Sequence, residues 1–149
     1  MATIFSHPYL DFSWNRGLFT ISTWPVIISN FGDKILLHIS TSTGKYQFIW
    51  WRLDDSFSFR ENALMRAREV VGDNQVTLTE DEPTILIDSI VRDGNPEKIL
   101  LIHYKAHIQD EVNIWDAKWF SLSEIEELHA SGNTSSPNII IASRHFLSK

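Results

Sequence analysis

Through most of the chain, apolar positions come in short blocks rich in β-branched and aromatic residues. The blocks at 26–28, 34–39, 46–51, 74–78, 84–91, 99–104 and 114–120 are bounded by turn-forming residues and predict strands. A short edge strand over 18–22 is expected to close an irregular lead-in at 1–20. Asn30-Phe31-Gly32-Asp33 separates the first two blocks with turn chemistry, so those blocks are expected to form a hairpin. Asp54-Asp55-Ser56 ends the aromatic block. From 59 to 71, Ala63, Ala67 and Val70, with Leu64 and Val71 beside them, recur at spacings near three and four. That spacing lies on one helical face, and Gly72 fits its stop. Glu80-Asp81-Glu82-Pro83 and residues 93–96 are turns. Ser121 and Glu124 stand three apart before Ile125 and Leu128, a capping box that opens a short helix. A loop of small polar residues at 130–136 leads to Pro137, placed at the first turn of a last helix over 138–146 within a C-terminal helical region 137–147.

The count is six or seven strands, one mid-chain helix and two C-terminal ones. Strands follow one another as hairpins, with few strand–helix–strand units. The expected fold is therefore α/β of the α+β kind, a mixed β-sheet flanked by helices, in a single domain over 1–149.

Composition narrows the partners. Thirteen basic residues against nineteen acidic give a net charge of −6, which makes nucleic acid an unlikely partner but leaves room for a local nucleotide site. There is no cysteine, hence no disulfide or thiolate chemistry. Neither a leader pattern nor an apolar run long enough to cross a bilayer is visible, so a cytoplasmic protein without membrane partners is expected. Six tryptophans suit core packing, a binding face for a flat ligand, or a partner interface such as a homodimer.

The order of hairpin, aromatic strand, acidic loop, helix and strands leads to Trp119-Phe120-Ser121-Leu122-Ser123-Glu124-Ile125. With the strand Lys34-Ile35-Leu36-Leu37-His38, this resembles the Nudix (MutT-like) superfamily over about residues 24–146. The resemblance implies a Nudix-like mixed sheet and a box of loop, helix and loop, here degenerate, at 52–73. In that family, glutamates on the box helix hold Mg²⁺ or Mn²⁺, which neutralises a diphosphate and activates water.

Two registers lay the box on this chain. The ungapped one puts the glycine pair on Trp50-Trp51, the first box glutamate on Phe57, Arg-Glu on Met65-Arg66, the glutamate pair on Glu69-Val70, and the final glycine on Gly72. The shifted one aligns Arg68-Glu69-Val70 with Arg-Glu-apolar and gives the last glutamate position to Asp73. Both lose the glycine pair and at least one principal metal carboxylate. Arg52-Leu53-Asp54 resembles the Gly-Gly-Arg-apolar openings of some members, the GDP-mannose hydrolases among them.

The resemblance implies Glu69 and Glu61 as catalytic residues, Glu69, Asp73 and Asp54 as metal ligands, and Arg52, Arg66, Arg68 and Trp51 as ligand-binding residues. Two functions follow from it. One is a divergent, metal-assisted hydrolase of a nucleoside diphosphate linked to another moiety. The other is an inactive module that binds a nucleotide or nucleotide sugar, or a protein. Each site residue also has a plainer reading as a solvated helix charge or a turn residue. Outside the box, Asp110, Glu111 and Asp116 read as solvated loop, and Trp119 is expected against the last helix. His38 is placed on the sheet face near a pocket, and His103 and His107, four apart, do not make a zinc pair.

Overall fold

The computed structural model describes residues 3–6, 19–49, 51–52, 56–72, 76–79, 82–92, 94–109, 114 and 116–147, with backbone alone at 3–6, 19–20, 51–52, 88–92 and 95–97. The strands are β1 (Thr3–Ser6), β2 (Phe19–Ile28), β3 (Lys34–Ile39), β4 (Tyr46–Gln47), β5 (Trp51–Arg52), β6 (Val76–Leu78), β7 (Thr84–Arg92), β8 (Asn95–Ile108) and β9 (Ala117–Ser121). The helices are α1 (Phe59–Val71), α2 (Leu122–Ala130) and α3 (Asn138–Leu147). One mixed sheet runs in the order β1-β7-β8-β2-β3-β4, with β5 on β2, β6 on β8 and β9 on β3. β8 lies parallel to β2 from Phe19↔Lys98 to Ile28↔His107, while β7 and β8 form an antiparallel hairpin.

Side-chain alternation along the strands divides the core into two layers. On one face Trp24, Val26, Ile28, Ile35, Leu37, Leu86 and Leu101 meet Ile125 of α2 and Ile139, Ile140, Ala142 and Phe146 of α3. On the other, Ile27, Leu36, Val76, Ala106 and Ile108 meet Ala67 and Val71 of α1. The expected mixed sheet flanked by helices is what the chain forms. Among the described residues, no helix is long and apolar enough to cross a membrane.

Three local expectations are corrected. The aromatic block 46–51 is not one strand: β4 pairs with β3, whereas β5 pairs with β2. Between them Phe48 enters the layer under α2 and α3 while Ile49 enters the layer under α1, so the chain crosses from one neighbour to the other. The turn at 93–96 is tighter than expected, because Arg92 already pairs with Asn95 and Gly94, at φ 77°, supplies left-handed backbone. Trp119 packs not on the last helix but on the α1 layer, opposite Leu36 in the β3–β9 register. Its neighbour Phe120 takes the α2/α3 side, edge-on to Tyr46 with ring centroids 4.9 Å apart.

β2 carries Pro25 in mid-strand. On its second edge β2 pairs with β5 at Ser22 and Thr23 and with β3 at Ile28. The proline falls between these pairings, where a missing N–H costs least.

α2 begins with the capping box expected from sequence. The Glu124 N–H donates to Ser121 Oγ (3.3 Å), and the Ser121 N–H donates to Glu124 Oε1 (3.1 Å). Hydrogen bonds made to the Glu124 carboxyl, first by the Ser121 backbone N–H and then by the Ser121 side chain, hold it below its ordinary pKa. Ser121→Ala is expected to lower stability by about 1 kcal/mol. Urea unfolding checks it, and an unchanged midpoint would mean the box contributes nothing.

Candidate functional site

α1 forms because both ends are chemically defined. Ser58 is extended (φ −65°, ψ 164°), and its Oγ accepts the Glu61 N–H at 3.1 Å. Asn62 is buried and donates from Nδ2 to the carbonyls of Phe57 (3.2 Å) and Ser58 (2.8 Å), tying down the preceding loop. Gly72, at φ 100°, ends the helix with its N–H on the Arg68 carbonyl at 2.8 Å. Ala63 and Ala67 are buried against the sheet, and Arg66 and Glu69, three apart, share one flank of the helix.

The helix end bears on the register. In the ungapped register Gly72 is the final box glycine, and the helix stops there. In the shifted register Gly72 would have to occupy a glutamate position on the helix, and the next one would lie beyond its end.

Arg66 and Glu69 form an ion pair, Nη1 to Oε2 at 2.9 Å, with the arginine side chain 24% exposed and the carboxylate 63% exposed. In the ungapped register these are two metal-carboxylate positions, so a guanidinium stands where one carboxylate would be and neutralises the other. Glu61 lies eight residues before Glu69, roughly 12 Å along the axis, and accepts the Ser58 hydroxyl at 3.1 Å. Arg68, exposed in the last turn, projects about 200° around the helix from Arg66, so the two do not address one ligand. Asp54 and Asp73 lie outside the described residues, as do Trp50, Asp55, Asp110 and Glu111. Trp51 and Arg52 are described in backbone only, as β5.

Opposite Arg66, the sheet contributes His38, which shares the α1-facing side of β3 with Leu36. The Gln47 amide, brought alongside by the His38↔Gln47 pairing, lies 3.2 Å from His38 Nε2. Asp116 opens β9 in left-handed backbone (φ 65°), which aspartate tolerates, and its carbonyl accepts the Ile39 N–H at 2.9 Å. Burial is the main influence on the ring and holds it below its ordinary pKa. The Asp116 charge opposes this, Arg66 adds to it, and the Phe48 backbone opposes it.

Sequence reasoning put His38 on the sheet face near a pocket, and the structure has it half-buried on the Leu36 side of β3. The same reasoning did not single out Gln47, and it read Asp116 as solvated loop. The alternation of β3 carries the signal for His38. The other two are fixed by strand pairings that no local pattern specifies. His103 and His107 make no zinc pair: His103 is sealed under α3, where Asn138 Nδ2 lies 3.0 Å from its Nε2.

The donor set is poor for Mg²⁺ or Mn²⁺, which want several oxygens. The described box residues offer one principal carboxylate, already paired with a cation. Among the described residues no group of three or more His, Asp or Glu side chains could hold a metal ion. What the arrangement can offer an anion is the partly buried guanidinium of α1, on the side of the sheet where His38 and Gln47 pair.

No family model matches the chain, and no curated protein matches it in sequence. Solved structures do match in shape. The Escherichia coli dihydroneopterin triphosphate pyrophosphohydrolase superposes with a TM-score of 0.67 at 13% identity, over 87% of this chain and 95% of that one. The Caenorhabditis elegans Ap4A hydrolase gives 0.64 at 18% identity, over 88% and 98%. A NUDIX-family hydrolase from Clostridium perfringens gives 0.61 at 20% identity, over 87% and 96%. The chain has the Nudix fold.

Proposed function

We propose that the chain binds a nucleotide or nucleotide sugar through its phosphates, on the α1-facing side of the sheet, with arginine in place of a metal cluster. The Arg66–Glu69 ion pair carries this reading. A guanidinium grips phosphate through two parallel N–H donors, and this one is partly withdrawn from water, which strengthens such bonds. Trp51, from β5 opposite Thr23, is the proposed stacking surface; Arg52, next along the strand, is a proposed electrostatic contributor, since alternation keeps the two from one face. Arg68 is a more distant, electrostatic contributor. The end of α1 at Gly72 supports the register that gives Arg66 this role.

A second reading, metal-assisted hydrolysis of a nucleoside diphosphate linked to another moiety, is favoured by one observation. Glu69 keeps a largely exposed carboxylate on the box helix, in a fold that several solved hydrolases share. It assigns Mg²⁺ or Mn²⁺ to Glu69 with Asp54 and Asp73, and a helper role to Glu61.

Isothermal titration with ADP-ribose and GDP-mannose, with and without Mg²⁺ or Mn²⁺, separates the two. Under the binding reading at least one ligand binds without metal. Arg66→Gln then weakens binding about ten- to a hundredfold, the worth of a charged hydrogen-bonding pair. Glu69→Gln, which releases Arg66 from its partner, strengthens it. Saturable Mn²⁺ binding that Glu69→Gln abolishes, together with product formation, would overturn the binding reading in favour of the hydrolase.

A further inference from the structure

α3 packs on α2 and β8 but joins no ladder, so its departure would break no strand pairing. The loop before it is pinned by backbone bonds instead. The Tyr46 N–H donates to the Asn133 carbonyl at 2.9 Å, and the Ser135 N–H donates to the Tyr46 carbonyl at 3.0 Å. Movement of α3 is therefore hinged beyond Ser135. Just past Pro137, buried Asn138 reaches 35 residues back along the chain to His103, Nδ2 to Nε2 at 3.0 Å. The Asn138 Oδ1 accepts the Ser136 hydroxyl, which turns the amide NH₂ toward the ring.

The groups against the His103 ring are uncharged. Trp24 of β2 lies across one ladder, with ring centroids 5.9 Å apart, and Thr84 of β7 across the other. Phe48 stands edge-on at 5.6 Å, and Asn138 closes the α3 side. The titratable residues of these elements stand further along them. Lys105 and His107 follow two and four residues later on β8, and Asp88 lies four residues beyond Thr84 on β7. In the last turn of α3, Arg144 turns out to Glu126 of α2 at 3.3 Å, and His145 stands edge-on to Phe146. Three hydroxyls buried on this side of the protein, Ser22 Oγ, Thr84 Oγ1 and Ser143 Oγ, have no hydrogen-bond partner among the described residues. A layer with such groups regains hydrogen bonds to water when it opens.

We propose that α3 is an acid-released strap: it opens from Ser136 onward while the ladders stay paired, and the open form is the one that takes a proton on His103. α3 covers the face of the sheet opposite Arg66, so the proposal stands apart from the nucleotide-binding reading. With α3 closed, Nε2 faces a donor and can only accept, which an imidazolium cannot do. Burial then holds the ring neutral down to about pH 3, whereas an open ring titrates near 6.5. The closed form keeps its full advantage above pH 6.5 and loses it about tenfold per pH unit below.

Amide hydrogen exchange of the full chain, followed by NMR between pH 7.5 and 5 and corrected for intrinsic rates, tests this. The α3 amides are expected to open more readily than those of the β2–β8 ladder at every pH. Their opening constant should rise about thirtyfold across the range. Opening constants equal to those of the ladder would mean that α3 leaves only with the whole fold. A constant that does not change with pH would mean that His103 does not load the strap. Either result overturns the proposal. His103→Gln should flatten the rise. Asn138→Asp offers a charged ring an acceptor and should reverse the direction, so that α3 tightens toward pH 5. Mere loosening of the helix would leave the rise in place, and a rise that survives Asn138→Asp would likewise sink the proposal.

Discussion

Phe48→Ala is expected to destabilise the fold by about 3–5 kcal/mol, the usual loss when a buried phenylalanine is cut back to its Cβ. Phe48 is fully buried and is among the largest sealed side chains. It stands edge-on to Trp24, with ring centroids 6.4 Å apart, and to His103 at 5.6 Å. It also lies where the chain leaves β4 for β5, so no strand pairing holds it and its packing must fix the crossing. The cavity would open between rigid aromatic neighbours that cannot easily collapse into it, which places the expected loss toward the upper end. Urea unfolding of the variant at neutral pH measures it. Phe31→Ala, at an 85% exposed hairpin position, is the control and should shift stability by no more than about 0.5 kcal/mol. A loss below about 1 kcal/mol for Phe48→Ala would mean that the crossing is held by something other than this side chain.

Phe48 also marks where the sequence stops being informative about the fold. The helices and β3 were readable because independent local signals agree there: capping residues, apolar spacing and a stop at α1 and α2, and turn residues at both ends of β3. The block 46–51 has equally strong strand composition, yet composition does not say which strand is the neighbour. Two short pairings to different partners look the same in one dimension as a single long one. The length of β2 was hidden for a related reason. Pro25 reads as a boundary, but the gap between the β5 and β3 pairings accommodates it. Trp119 was misassigned because a one-residue step exchanges faces.

The site divides along the same line. That Arg66 and Glu69 lie side by side was legible, because residues three apart on a helix are neighbours whatever the tertiary structure. The eroded box could not fix its own register, whereas the end of α1 at Gly72 favours one of them. Gln47 and Asp116 were not legible, since their relation to His38 exists only through the β3–β4 and β3–β9 pairings. The feature that most distinguishes this site from a metal centre, the guanidinium paired with Glu69, was already visible as a residue type. Only the structure shows that the pair is closed.

The stability of the protein is expected to fall steeply in acid through one residue, His103. Its ring is fully buried, and burial pushes its pKa down from 6.5 to about 3, with the Thr84 backbone opposing only in part. The Asn138 amide donates to Nε2 at 3.0 Å, while its Oδ1 accepts the Ser136 hydroxyl, so the Nε2 side of the ring is matched by a donor that suits only its unprotonated form. A protonated ring would set an N–H against the Asn138 amide N–H. The unfolded chain therefore takes up a proton near pH 6.5 that the folded chain refuses until about pH 3. The contribution of His103 is fully present above the unfolded pKa and is lost as pH falls toward the folded one, at about 1.4 kcal/mol per pH unit. Between pH 6.5 and 4 this amounts to about 3 kcal/mol, a large share of the 5–15 kcal/mol typical of folded domains. His103→Gln keeps a hydrogen-bonding side chain for Asn138 but cannot titrate in this range. It should lower stability at pH 7.5 through imperfect packing, yet flatten the loss between pH 6.5 and 4 by about 3 kcal/mol relative to the unsubstituted chain. Urea unfolding of both proteins at several pH values reads that difference in slope. Parallel pH profiles would show that His103 does not carry the acid sensitivity. Because Phe48 touches the His103 ring, the losses in a double variant should not add. Opening the aromatic cage lets water reach the imidazole, so Phe48→Ala should by itself flatten the acid slope.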